Sequence, residues 1–456
     1  MTIEDIDRQF VFHPFTNVRS HEQTGPLTVV SGAGSTIVDA SGRSYLDAMA
    51  GLWCVNVGYG NVELAEALGR QAKKLAYYHS FASMGNEPVA ELAQRLISMA
   101  PGSMSKVFFG NSGSDANDTQ VKMVWYYNNV LGRPEKKKII SRDRGYHGVT
   151  VMAASLCGLP GMHRAFDLPL STVRHVRAPR RLWSDDADLD DAQLVAALAA
   201  DLERTILDEG PDTVAAFIAE PIQAAGGVIV PPPGYFPAIQ EVLRRYDVLM
   251  IADEVVCGFG RTGHTFGSDV FGIEPDLMTV AKGVTSAYIP LSACLVSEKV
   301  WDVLRDGADA FGVFQHGYTY SAHPLAAATA IANLNIIEDG KLTQQAAARG
   351  EYLNSKLQQA FAQHPMVVDV RGFGLLGAVE FAASREPLTA FEPIGSFSGP
   401  IVARMRELGV ISRALPNSDS ISFSPPFVVT EEEIDQMVAT ARQALDDVCS
   451  AMHLVP

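Results

Sequence analysis

Between residues 60 and 330, short apolar runs alternate with longer segments of helical period, and few architectures accommodate that pattern. The runs are Val107-Phe-Phe, Lys138-Ile-Ile, Val214–Ala219, Val248–Ala252, Leu277–Ala281 and Ala293-Cys-Leu-Val. Runs this short and apolar suit parallel strands covered on both faces. Between them, Glu87–Met99, Asp190–Glu209 and Pro237–Tyr246 carry helical periodicity. The expectation is an α/β fold with a large, mostly parallel sheet and helices on both faces.

The rest of the chain is organised differently. After His323-Pro324 an Ala-rich run to Ile337 predicts a helix leading out of the core. Residues 345–456 then predict a helix, strands at Val367–Val370, Leu376–Glu380 and Ile421–Ser424, and a closing helix Glu431–Val448. That is a smaller α+β unit. Residues 1–30 suggest an arm broken at Pro14, and residues 35–47 a hairpin turning at Asp39–Gly42. The expected division is 1–60 (arm and part of the small domain), 61–330 (large domain) and 331–456 (C-terminal small domain). At 456 residues and 47% hydrophobic content, the chain can fill two such cores.

A net charge of −16 argues against nucleic acid or anionic membrane as a standing partner. The five cysteines include no CxxC pair, and their odd number fits reduced thiols. No apolar stretch reaches bilayer length, and Met1–Phe10 lacks the pattern of a signal peptide. These features predict a soluble, cytoplasmic protein.

GxGxxG occurs twice, at Gly258–Gly263 and Gly372–Gly377. A dinucleotide site needs such glycines between a strand and a helix N-terminus. The first is followed by more glycine without helical period, and the second runs into Ala378-Val-Glu-Phe381, which reads as a strand. Both are expected to be turns, which leaves a nicotinamide enzyme a distant alternative.

Chemistry-bearing residues gather where the apolar runs end. Lys282 closes Leu277–Ala281 and precedes Gly283. A lysine is by default a solvated surface cation. An amine at the carboxyl edge of an α/β sheet, however, sits where such folds bind ligands, and desolvation there suits a Schiff-base nucleophile, so the strand context leaves both readings open. Asp253 and Glu254 close the run Val248–Ala252, and no histidine cluster with ligand spacing accompanies them, so no metal is expected there. Ser112-Gly113-Ser114 lies between a strand and a helix, which fits an anion cradle or an ordinary N-cap equally well. Tyr146, between Gly145 and His147-Gly148, is placed to stack on a flat ring, whereas His147 reads as packed or hydrogen-bonded. Glu220-Pro-Ile-Gln223 and His316–His323 complete the set of loop residues at strand ends.

In this order, together with Gly51-Leu-Trp53, Gly258–Gly263 and Ala281-Lys282-Gly283, these motifs resemble the class III aminotransferases, fold-type I pyridoxal phosphate enzymes. The resemblance runs essentially end to end. Gly51–Gly60 and Leu408-Gly-Val-Ile-Ser-Arg413 are most similar to the pyruvate-dependent ω-amine transaminases. The resemblance implies that Lys282 carries pyridoxal 5′-phosphate and moves the proton, and that Asp253 pairs with the pyridine nitrogen. Tyr146 would stack on one ring face and Val255 lie on the other. Ser112 and Gly113 would hold the phosphate with Thr319 of a second subunit, and Glu220 would complete the cofactor site. Trp53, the second subunit's Phe81 and Arg413 would form the substrate pocket, with Arg413 on a mobile loop binding the keto-acid carboxylate. A homodimer, or a dimer of dimers, is implied. The implied reaction is ping-pong transfer from an ω-amine or ω-amino acid to pyruvate, giving alanine. Transfer to 2-oxoglutarate, or mutase or decarboxylase chemistry on the same scaffold, is the alternative. In Leu159–His163, relatives often carry an aromatic where this chain has Gly161 and Met162, which predicts a looser pocket wall.

Overall fold

The computed structural model describes residues 1–454. Its centre is a sheet of seven strands: β1 (Met104–Gly110), β2 (Lys138–Arg142), β3 (Val173–Val176), β4 (Val214–Ala219), β5 (Leu249–Asp253), β6 (Leu277–Val280) and β7 (Ser292–Ser297). Their spatial order is β1-β7-β6-β5-β4-β2-β3. Strands β2 to β6 run parallel to one another, while β7 is antiparallel to both β1 and β6. The run Ala293–Val296 was expected to join a parallel set and does not. Only residues 281–291 separate it from β6, too few for a helical crossover, so the chain must return in the opposite direction.

Both faces of the sheet are covered, which is why these strands lack polar alternation. Phe217, Met250, Ala252 and Met278 point into one core, with Leu198, Phe236 and Leu243 from helices Asp191–Glu209 and Tyr235–Arg245. Ala215, Ile218, Ile251 and Leu277 enter the other, with Val121, Val124 and Tyr127 from helix Gly113–Val130. Strand β3 escaped the sequence reading. It is a four-residue edge strand whose middle residues, Arg174 and His175, are only half-buried.

Residues 29–47 form three antiparallel strands, and Ser44–Asp47 pairs in parallel with Val410–Ile411 from the far end of the chain. A second small sheet joins Val367–Phe373, Leu376–Phe381, Ser420–Phe423 and Arg413–Ala414. Helices Leu342–Phe361, Ser398–Glu407 and Glu431–Ala451 pack beside these sheets.

The two glycine fingerprints are turns that meet each other. A Cβ on Gly374 would fall 2.5 Å from Thr262 Cα, and the Leu375 amide donates to the Arg261 carbonyl at 3.0 Å. The first turn wraps Arg261, which is fully buried. Its guanidinium donates to Asn56 Oδ1 at 2.8 Å and to the Pro425 carbonyl at 2.6 Å, over the Phe427 ring. The glycines therefore serve close packing around a structural arginine. Among the described residues, no helix is long and apolar enough to cross a membrane.

Candidate active site

The carboxyl ends of β1, β2, β4, β5 and β6 open on one side of the sheet, and the loops that follow them line a cavity of about 580 Å³. Ser112, Gly113, Tyr146, Glu220, Asp253, Val255 and Lys282 all lie on its wall. The sequence separates these residues by up to 170 positions; the strand ends bring them together, as open α/β sheets do with ligand sites.

Lys282 opens a 3₁₀ turn directly after β6, with φ at +48°. A non-glycine residue held in the left-handed region costs roughly 1–3 kcal/mol, so packing must impose it. A Cβ on Gly283 would come within 2.5 Å of the Asn56 amide, which keeps the turn tight. Burial pulls the amine below the ordinary lysine range, against the pull of Cys54, Asp253 and Glu220. No side chain among the described residues hydrogen-bonds to it. An amine that is desolvated and unpaired is available as a nucleophile.

Asp253 ends β5 and is 3% exposed. Its Oδ2 accepts from Asn117 Nδ2 at 2.9 Å and from His147 Nδ1 at 2.8 Å, and its Oδ1 accepts from the Val255 amide at 3.1 Å. A carboxylate can only accept, so His147 carries its proton on Nδ1. Asn117 is fixed in turn by Thr279, whose hydroxyl donates to Asn117 Oδ1 at 2.6 Å, and by its own bond to the His147 carbonyl at 2.7 Å. Asn117 and Thr279 were missed at the sequence level. The available signal was an amide on the apolar face of helix Gly113–Val130, between Ala116 and Val121. Glu254, the adjacent carboxyl, points elsewhere: it accepts from the Gly267 amide at 3.0 Å and from the Ser268 hydroxyl at 2.6 Å, and is structural.

Ser112 is the N-cap of helix Gly113–Val130, its hydroxyl accepting from the Asp115 amide at 3.1 Å. The capping role is therefore real, and it leaves the amides of Gly113 and Ser114 without partners among the described residues. Both residues line the cavity, so the N-terminus of an 18-residue helix faces it with free donors. A side chain at Gly113 would press on Val255, its Cβ 3.0 Å from Val255 Cγ2.

Glu220 follows β4, is 4% exposed and accepts from the Tyr146 amide at 3.1 Å. Burial pushes its carboxyl up to about 7, with His147 opposing the shift. In the unfolded chain it would release its proton near 4.5, so between about pH 4.5 and 7 the folded protein holds more protons and stability falls as pH rises. Glu220→Gln is expected to flatten this decline, measured as Tm against pH for both proteins. The difference between them should be on the order of 3 kcal/mol across the window. Parallel curves would mean that Glu220 titrates normally.

Trp53 and Arg413 adjoin the cavity beside Tyr146 and do not form its wall. Trp53 is buried at a φ of +59°, in a segment where Ala50 and Gly51 are also left-handed. The Arg413 guanidinium lies over the indole, 5.0 Å from its centroid, and makes no salt bridge or hydrogen bond among the described residues. Its backbone corrects one expectation. Arg413 is not on a free loop but on the two-residue edge strand Arg413–Ala414, paired with Ser422 and Ile421, because Ser420–Phe423 offers a free edge beside it. Phe81 and Thr319 are exposed and stand apart from this cavity. They neighbour one another instead: the Phe81 ring lies against Gly317, and Tyr77 donates to the Thr319 carbonyl at 2.6 Å. Gly161 and Met162 lie in the 3₁₀ turn Pro160–Met162, outside the lining of this cavity.

Residues 17–445 match the family model described as Aminotransferase class-III. The chain belongs to the class III aminotransferases. An aminotransferase of Sinorhizobium fredii, itself named as uncharacterized, is 51% identical over 98% of this chain and 96% of its own. The diaminobutyrate–2-oxoglutarate transaminase of Halomonas elongata is 47% identical over 98% and 96%. Among solved structures, the ω-transaminase of Pseudomonas jessenii in complex with PMP superposes with a TM-score of 0.97, at 46% identity and full coverage of both chains. The aminotransferase is therefore a fold-type I, pyridoxal phosphate-dependent enzyme, as its class is. The cavity fits that group by its polar set: the unpaired Lys282 amine, the buried Asp253 carboxylate as an acceptor, and the two free helix-terminal amides of Gly113 and Ser114.

Proposed function

We propose that this aminotransferase moves an amino group from an ω-amine or ω-amino acid to pyruvate, giving alanine, with the carbonyl product leaving before the acceptor binds. The observation that carries the reading is Arg413: a cation stacked on Trp53, without a carboxylate partner, at the edge of the Lys282 cavity. A guanidinium there can take a keto-acid carboxylate in a bidentate grip, while the indole beneath it serves an apolar donor. Apart from Lys282, the cavity wall contains no lysine or arginine. One anchoring cation suits an acceptor with one carboxylate, such as pyruvate. The second reading, 2-oxoglutarate as acceptor, is favoured by the name of the Halomonas relative and needs a cation for the further carboxylate.

In this assignment the amides of Gly113 and Ser114, with Ser112, hold the phosphate. Asp253 keeps the pyridine nitrogen protonated, Tyr146 and Val255 cover the two ring faces, and Lys282 holds the cofactor covalently. When bound, pyridoxal phosphate draws electrons from the substrate carbon and so makes its proton removable. Lys282 Nζ takes that proton and returns it. Its depressed basicity leaves more of the amine unprotonated and able to accept near neutral pH. Glu220 fixes the Tyr146 backbone, and His147 and Asn117 fix Asp253. Phe81 and Thr319, exposed and absent from the wall of their own cavity, are assigned to the active site of a second copy, which makes the enzyme a homodimer. The exposed Tyr77, Tyr78, Phe81 and Met84 supply an apolar surface for that contact. Five free cysteines, four of them buried, suit a reducing cytoplasm.

The test is a panel of amine donors with pyruvate or 2-oxoglutarate, read as alanine or glutamate formed. Alanine formation is expected to dominate, and glutamate alone would overturn the acceptor assignment. Arg413→Ala is expected to raise KM for pyruvate by about 10- to 100-fold, the loss of a charge-assisted pair of about 1.5–3 kcal/mol. KM for a donor amine without a carboxylate should change little. Equal losses for both would assign Arg413 to structure.

A further inference from the structure

Far along the chain from the strand ends, three donor atoms converge to which the transamination chemistry gives no role. Asp7 Oδ1, His13 Nε2 and His21 Nε2 lie within 4.8 Å of one another. Asp7 is on helix Ile3–Phe10, His21 on helix Val18–Thr24, and His13 on the connection, next to Pro14. Asp7 and His13 are 2.7 Å apart, a hydrogen bond. Asp7 and His21 are 3.6 Å apart, which is beyond one. Hydrogen bonding thus accounts for His13 but leaves His21 Nε2 shut off from solvent with no partner, on a side chain only 10% exposed. A buried ring nitrogen aimed at a carboxylate and a second imidazole needs a further ligand to satisfy it.

We propose that Asp7, His13 and His21 bind a divalent transition-metal ion of the zinc type. Two imidazole nitrogens and one carboxylate oxygen are borderline donors that suit Zn²⁺ or Co²⁺, whereas Ca²⁺ and Mg²⁺ take oxygen sets. In a tetrahedral zinc site, with bonds of about 2.0–2.1 Å, ligand atoms stand about 3.3 Å apart. The separations of 2.7 and 3.6 Å bracket that spacing, so side-chain rotation brings the three to one ion and leaves a fourth position for water. The ion would do structural work. Helices of 8 and 7 residues are too short to persist alone, and neither buries an apolar side chain in a core: Ile3, Ile6, Phe10 and Val18 are exposed. An ion bonded to both helices and to their connection replaces the core they lack. Arg8, beside Asp7, is turned toward Gly25 and takes no part in the donor set.

The experiment uses tag-free holoenzyme loaded with Zn²⁺, dialysed against metal-free buffer and analysed for metal, beside His21→Ala and Asp7→Asn. One zinc per chain is expected in the parent protein and none in either variant, with transamination rates alike in all three. Trypsin should cut within residues 1–25 more slowly when zinc is present, in the parent only. Substituting Co²⁺ should give the intense visible bands of a four-coordinate nitrogen-oxygen site. Absence of stoichiometric zinc, equal zinc in His21→Ala, or a cobalt spectrum no different from the free ion would overturn the proposal and leave an Asp–His hydrogen bond with a neighbouring histidine.

Discussion

Lys282→Ala is expected to lower kcat by more than about 10³-fold with every donor and acceptor, while the protein still folds with a Tm no more than a few degrees below the parent. The activity loss follows from geometry. Apart from Lys282, the cavity wall bears no amine, and Glu220 and Asp253 are committed to backbone and side-chain donors. Cys54 and Tyr146 also line the cavity, but burial raises the pKa of both and keeps them protonated, and the His147 ring is held on Asp253. The stability claim rests on a different observation. The Lys282 amine has no partner among the described residues, so removing it breaks no hydrogen bond. Its protonated form is penalised by burial, so the folded chain binds this proton more weakly than the unfolded chain. Stability gained from the group therefore rises with pH, and at neutral pH the lysine is a cost that alanine removes. Alanine inherits the left-handed backbone at residue 282, which is why no large gain is expected. Thermal unfolding with kcat on the same preparations checks both halves. Activity within about tenfold of the parent would remove Lys282 from the proton transfer.

Asp253→Asn should lower kcat by on the order of 10²–10³-fold and weaken cofactor retention, through two effects. The negative charge that would keep the pyridine nitrogen protonated is gone. The amide is also mismatched to its neighbours, because Asn117 Nδ2, His147 Nδ1 and the Val255 amide all donate toward this side chain. An asparagine can present its oxygen to one side only, so its NH₂ must face a donor, at about 1–3 kcal/mol. Asp253→Glu keeps the charge but adds a methylene where the residue is 3% exposed, and should rescue little. The measurements are kcat, KM and the cofactor's visible spectrum. A normal kcat with a lowered Tm would make Asp253 a structural carboxylate.

Much of the site was legible because strand ends announce themselves. Lys282 and Asp253 each follow a run of apolar residues that can only be buried, and a charged residue there is informative. The rest depended on geometry that spacing does not encode. Asn117 looks like any polar residue in a helix until Thr279 and Asp253 are placed on either side of it. The direction of β7 is implied by the short span after Lys282, yet its apolar run is indistinguishable from a parallel strand. Strand β3 hid because an edge strand needs only one well-covered face. The resemblance implies a mobile loop for Arg413, and its two-residue strand is too short for an apolar pattern to reveal; its pairing with Ser422 comes from tertiary structure. Phe81 and Thr319 need a second chain to acquire the role proposed for them.

The central claim is that Lys282 holds the cofactor. Reduction of the purified protein with borohydride, followed by proteolysis and mass spectrometry, tests it directly. The peptide containing Lys282 is expected to carry the mass of the reduced pyridoxal phosphate adduct, with loss of the visible band. An adduct on a different lysine, or a coloured protein that yields none at Lys282, would contradict the account.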